Sequence, residues 1–171
     1  MAKKYSAGIL PYRIRDGVLQ VFINHPGGPF WAKKDNGAWH VTKGEYDSDE
    51  EPFAAAKREF KEEIGYPPPK GEYLELGTVT SHWGKEVVAW AVACEEDYAE
   101  INSQTLTLKW PPGSGQSVSF PEVDRAEWFD AAAARQKLND YQVAFIDRLI
   151  AKIGPVNEGA DLAAGDQASL L

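Results

Sequence analysis

The chain has 171 residues, enough for one domain with a sizeable core. With 43% hydrophobic and 26% charged residues it has the composition of a soluble globular protein, and no apolar run reaches the ~18 residues a membrane helix needs. A net charge of −8 argues against broad attraction to DNA, RNA or an anionic membrane, but allows a small anionic ligand if cations bridge the two.

The opening "MAKKYSAGIL" has two lysines and no long apolar stretch, so no secretory signal is expected and the default location is cytoplasmic. The single cysteine, Cys94, rules out an intramolecular disulfide. It ends the apolar run "VVAWAVAC", which predicts a buried strand thiol.

Residues 5–14 and 18–25 are rich in β-branched and aromatic residues, and Asp16-Gly17 between them predicts a hairpin. A loop with Gly, Pro and two tryptophans is expected over residues 26–39, and a second loop over 44–50. Residues 50–65 predict a helix. Pro52 suits its first turn, acidic residues favour its N-terminus, and Gly65 suits its end. Its apolar stripe is Phe53, Ala56, Phe60 and Ile64. After "PPPKG", residues 72–83 and 85–94 predict two strands joined around Gly84. Residues 102–121 read as a loop or ragged hairpin, and 126–129 as a short strand. Residues 130–138 and 139–153 predict helices, with Asp130 and Asn139 as candidate caps. The fold class is therefore α/β (α+β), a mixed β-sheet with helices against it. The domain is expected over residues 1–153, with a loosely held tail over 154–171.

The chemistry concentrates in "GEYDSDEEPFAAAKREFKEEIGY", residues 44–66. On a helix Glu59, Glu62 and Glu63 fall at i, i+3 and i+4, so they share one face, away from the apolar stripe. Three carboxylates on one turn repel one another. Spacing alone leaves two readings open: a divalent cation removes the repulsion, or the face is solvated with Lys57, Arg58 and Lys61 as partners. No close histidine pair suggests zinc, and "DSDEE" lacks the glycine and spacing of a calcium loop.

The whole stretch resembles the Nudix box, G-x5-E-x7-R-E-U-x-E-E-x-G-U, where U is a bulky apolar residue. Gly44, Glu50, Arg58, Glu59, Phe60, Glu62, Glu63 and Gly65 all match, and Tyr66 at the last position is a mild departure. The resemblance extends over about residues 5–153. It implies the Nudix fold, a mixed β-sheet sandwiched between helices, and hydrolysis of a nucleoside diphosphate linked to another group with Mg²⁺ or Mn²⁺. It further implies that Glu59, Glu62 and Glu63 hold metal and act in catalysis, with the Gly44 carbonyl as a further ligand. Glu50 and Arg58 would be structural support, paired bidentately. Glu122, in "FPEVDRAEW", stands where several Nudix enzymes carry a metal-binding or base glutamate; Glu127 is the weaker candidate.

"AWHVTKG", residues 38–44, is similar to the W-x-x-P-K-G stretch of Nudix enzymes acting on dinucleoside polyphosphates and related long phosphate chains, with Thr42 in place of proline. Lys43 is then a candidate phosphate contact. Lys33 and Lys34 read as a solvated pair. Trp110, in "LKWPPGSGQ", and His82 with Trp83 are candidate substrate contacts, whereas Trp90 and Trp128 read as packing residues. The implied ligand is a small nucleotide-like diphosphate, dinucleoside polyphosphates first, with nucleoside triphosphates or nucleotide sugars as the alternative. A non-catalytic nucleotide-sensing module is the rival of another class; such modules usually lose box glutamates, and all are kept here. The sequence sets no oligomeric state.

Overall fold

Strand β1 (Tyr5–Arg15) organises the sheet because it has two partners along one edge. The computed structural model, which describes residues 5–160, pairs its last residues, Tyr12–Arg15, antiparallel with the start of β2 (Val18–Pro26). Asp16 and Gly17, both at positive φ, make the turn between them. Its first half, Ser6–Ile9, pairs instead with β3 (Thr42–Glu45). The strands β1 and β2 therefore part company, and β2 continues through Asn24, which exchanges two backbone hydrogen bonds with His40, at 3.0 and 2.9 Å. The other edge of β1 runs parallel to β5 (Glu86–Ala93), which pairs with β4 (Tyr73–Thr80).

Helix α1 (Pro52–Ile64) is capped at its start by the Glu51 carboxylate, which accepts from the backbone N–H of Phe53 and Ala54 at 3.2 and 3.0 Å. Gly65, at φ 87°, ends it by donating to the Lys61 carbonyl. Ala55, Ala56, Phe60 and Ile64 bury one stripe against Ala7, Ile9, Phe22 and Val92 on one face of the sheet. Phe60 is fully buried, and truncating it to alanine would cost about 3–5 kcal/mol.

A separate two-stranded ribbon, β6 (Thr105–Lys109) with β7 (Ser117–Pro121), precedes β8 (Val123–Asp130), which pairs along β2. Helices α2 (Ala131–Lys137) and α3 (Ala144–Ile153) cover the other face, where Phe145, Ile146 and Leu149 meet Leu10, Leu19, Val21, Val79 and Val87. Alternation along the strands feeds both layers: Ile9 faces α1 and Leu10 faces α3. The result is the expected mixed sheet between helices.

Several expectations differ from the structure in detail. The loop expected from residue 44 begins inside β3, a strand too short and polar to announce itself. The helix expected over 139–153 begins as a 3₁₀ turn, Asp140–Gln142, because fully buried Gln142 turns inward to accept from the Val41 backbone N–H at 2.8 Å. Asp130 makes no cap bond; its carboxylate accepts from Gln20 instead. Cys94 is half-buried, just past β5, with its Sγ 3.4 Å from the Tyr98 hydroxyl. Of the expected tail, residues 154–160 are held: the Asn157 carbonyl accepts from Leu19 at 2.8 Å, and Glu158 pairs with Arg135 at 2.6 Å. The remainder, 161–171, lies outside the described residues.

Candidate active site

Where β1 and β2 separate, a cleft of about 540 Å³ opens beside β3 and the C-terminal half of α1. Gly44 and Lys43 on β3, Glu59, Glu62 and Glu63 on α1, and Glu122 at the β7–β8 junction all line it. Neighbours about one turn apart on α1 and a residue some sixty positions later thus meet in one place.

Glu63 is the most enclosed, at 3% exposure. Its Oε2 accepts from Asn24 Nδ2 and from the Lys43 backbone N–H, both at 3.2 Å. Burial pushes its pKa well up, only partly opposed by the Lys43 charge and reinforced by Glu122 and Glu59. Glu59 is raised by burial against the pull of Arg58, and Glu122 by burial against Lys43. These groups resist being charged together unless something positive joins them.

Arg58 supplies part of that charge. Its Nε and one terminal nitrogen grip both oxygens of Glu50 at 2.8 Å, while the other nitrogen donates to Glu59 at 2.7 Å and Glu62 at 3.1 Å. The hydrogen bond from Arg58 holds Glu50 below the usual carboxylate range. Arg58 does not reach Glu63 or Glu122 among its hydrogen bonds; the charge facing that inner pair is Lys43.

A hard divalent cation fits these residues. The donors are all oxygen, as Mg²⁺ or Mn²⁺ prefers. A Cβ at Gly44 would stand 1.9 Å from Glu59 Oε2, so only glycine lets that carboxylate lie against the β3 backbone. Among the described residues no three His, Cys, Asp or Glu side chains converge as a closed metal cluster; Arg58 holds Glu59 and Glu62.

Three residues that sequence reasoning missed belong here. Lys85, beside the β4–β5 turn, lines the cleft near Lys43; burial and then the Lys85 charge press the Lys43 pKa down. His40 also lines it, pushed below the ordinary imidazole range by burial and by Lys43. Asn24 is fully buried and holds both Thr42 and Glu63. A lone amide inside the apolar run "VLQVFINH" was the readable signal for it.

Other candidates lie elsewhere. His82 is 84% exposed on its side chain and faces Asp140 at 3.6 Å, outside the cleft lining. Trp83 is 95% exposed beside it. Trp110 sits past the end of β6, where its backbone pairs with Gln116; Leu106, Leu108 and Phe120 of the ribbon reach the cleft instead. Lys34 lies over the Phe30 ring at 3.5 Å. Trp39 is 1% exposed on the α3 side of the sheet, so it is a core ring.

The model of the NUDIX domain family matches residues 4–149. The chain belongs to the Nudix hydrolase family. Among solved structures, the Nudix domain of Shewanella oneidensis NrtR, solved with ADP-ribose, superposes with a TM-score of 0.62 at 16% identity, covering 90% of each chain. A C. elegans Ap4A hydrolase binary complex gives 0.59 at 19% identity, covering 86% of this chain and 97% of that one. A MutT protein from Methanosarcina mazei gives 0.57 at 17%, covering 91% and 99%. At these identities the likeness shows the Nudix fold alone. A search of curated proteins finds no significant match. No helix among the described residues is long and apolar enough to cross a membrane. Nudix hydrolases work with divalent metal ions, in keeping with the clustered carboxylates of this cleft.

Proposed function

We propose that this Nudix hydrolase cleaves a phosphoanhydride in a nucleoside diphosphate linked to a second group, using Mg²⁺ or Mn²⁺, with dinucleoside polyphosphates as its first substrate class. One observation carries the reading: a helix face of Glu59, Glu62 and Glu63 shares its cleft with Glu122 and with two cationic side chains, Lys43 and Lys85. The paired lysines suit a long phosphate chain. They also replace the support that Trp39, enclosed in the core, does not give.

Glu59, Glu62, Glu63 and the Gly44 carbonyl would hold the metal, beside Glu122. A metal bound there would supply charge to neutralise phosphoryl oxygens and to lower the pKa of a water. The chain's own residues do the rest. Lys43 and Lys85 orient the phosphates as point charges. Glu122, outside the Arg58 fork, would accept the proton of the attacking water. Asn24 and the Lys43 backbone fix Glu63, and Arg58 keeps Glu50, Glu59 and Glu62 in register.

The test is a panel of diadenosine polyphosphates, nucleoside triphosphates, nucleotide sugars and an inositol pyrophosphate with Mg²⁺ or Mn²⁺, products read by chromatography. Cleavage of the first class by the wild type and not by Glu63→Gln is the expected result. Preference for another class would reassign the substrate. Tight binding with no cleavage of any member would make the protein a nucleotide sensor.

A further inference from the structure

The ribbon β6–β7 has an unusual distribution of side chains. Leu106 lies opposite Phe120 and Leu108 opposite Val118, so one face is apolar. The other carries Thr105, Thr107 and Ser119, with the Thr107 and Ser119 hydroxyls 2.7 Å apart. A detached two-stranded ribbon gains stability by packing an apolar face on a core. This one turns Leu106, Leu108 and Phe120 into the cleft instead. Phe30, on the β2–β3 loop, lines the same cleft, with Lys34 over its ring at 3.5 Å. Phe30, Leu106 and Leu108 are half of the six large apolar side chains left exposed among the described residues, at 53%, 45% and 40%.

The wall is built rather than incidental. Phe120 packs against Gly28, where a Cβ would meet its ring at 2.7 Å. Gln104, at the foot of the ribbon, donates from its backbone to the Glu62 carbonyl at 3.2 Å and accepts from the Glu122 N–H at 2.7 Å. The cleft thus has a charged end, with the carboxylates and Lys43, and an apolar end fixed to it through the backbone.

We propose that Phe30, Leu106, Leu108 and Phe120 are the specificity wall for the nucleobase of the substrate, the ribbon taking the flat ring while the phosphates lie at the charged end. The occupant follows from that polarity: a planar apolar-faced group joined to a polyanion matches both ends of one cleft, and neither an inorganic polyphosphate nor an apolar peptide does. This rests on the substrate reading above and names which part of the molecule selects it.

The test titrates the full chain, with Mg²⁺, against ADP and against inorganic tripolyphosphate by calorimetry. It compares the wild type with Leu106→Thr/Leu108→Thr, whose threonines keep strand propensity on an exposed ribbon, and with Phe30→Ser on a different element. ADP affinity should fall about tenfold in either variant, while tripolyphosphate affinity moves less than about twofold. Equal losses on both ligands, or no loss on ADP, overturn the wall. So does a variant whose only change, by sedimentation, is loss of a dimer, which would make the face an interface between copies. The substrate panel separates the two readings: ADP selectivity that depends on the wall, in a protein that cleaves nothing, upholds the wall and removes the hydrolase reading.

Discussion

The two ends of helix α1 use the same side chain in opposite ways. At the N-terminus Glu51 sits in water and accepts two helix N–H groups, and Glu50 clasps Arg58. There a carboxylate completes the unpaired amides and meets the positive end of the helix dipole. In the last turn Glu62 and Glu63 meet the negative end, and Glu63 is buried besides. The first pair explains itself through stability. The second is held where burial and the helix dipole disfavour its charge, which supports the proposed role in holding a cation.

The sharpest way to break this contrast is Glu63→Gln. It should lower hydrolysis by about 10²-fold or more while the metal-free melting temperature holds or rises. Equal loss of activity and stability would make the far end as structural as the near one. Next in size, Mg²⁺ or Mn²⁺ should raise the melting temperature of the wild type in a concentration-dependent way and leave Glu63→Gln shifted much less, read by differential scanning fluorimetry.

Smaller again is a pH effect. Glu63 has a folded pKa raised above its unfolded value, so the native state binds more protons, and stability falls as pH rises through that interval. His40, lowered in the fold, works in the opposite direction below about pH 6.5, so the fall should show between about pH 6.5 and about pH 8 in metal-free thermal scans. Glu63→Gln should flatten it; an unchanged slope would place its cause elsewhere. The smallest effect belongs to the near end. Glu51→Ala should cost about 1 kcal/mol in denaturant unfolding. Its kcat should not change, and a drop in kcat would show that the two ends are not separable.

The carboxylates at both ends were readable because a helix converts spacing into a shared face: Glu59, Glu62 and Glu63 needed only i, i+3 and i+4. Strands β1, β2, β4 and β5 were readable from their β-branched runs. The fork of β1 was not, since a four-residue β3 reading "TKGE" carries no apolar period and its partner, Ser6–Ile9, lies far back in the chain. Lys85 and His40 were hidden for the same reason, because no local pattern says which loop lysine or histidine will face a distant helix. Trp39 matched a motif, yet its burial against the α3 layer depends on partners such as Phe129, 5.0 Å away, that composition does not name. His82 was singled out for standing at a strand end, and Trp110 for an aromatic before a Pro pair and glycines ahead of Glu122; both features are shared by many surface turns.

The fork in β1 has a consequence for how the molecule comes apart. Tyr5–Tyr12 are tied to β5 on one side while β2 and β3 divide the other, so β1 cannot be freed without undoing the sheet. Its central amides should be among the slowest to exchange with deuterated water, and those of the ribbon β6–β7, paired only with itself, among the fastest. The boundary between those two exchange regimes should run across the cleft, so that the chemistry is anchored to the last part of the fold to open while the ring of the substrate rests on the first.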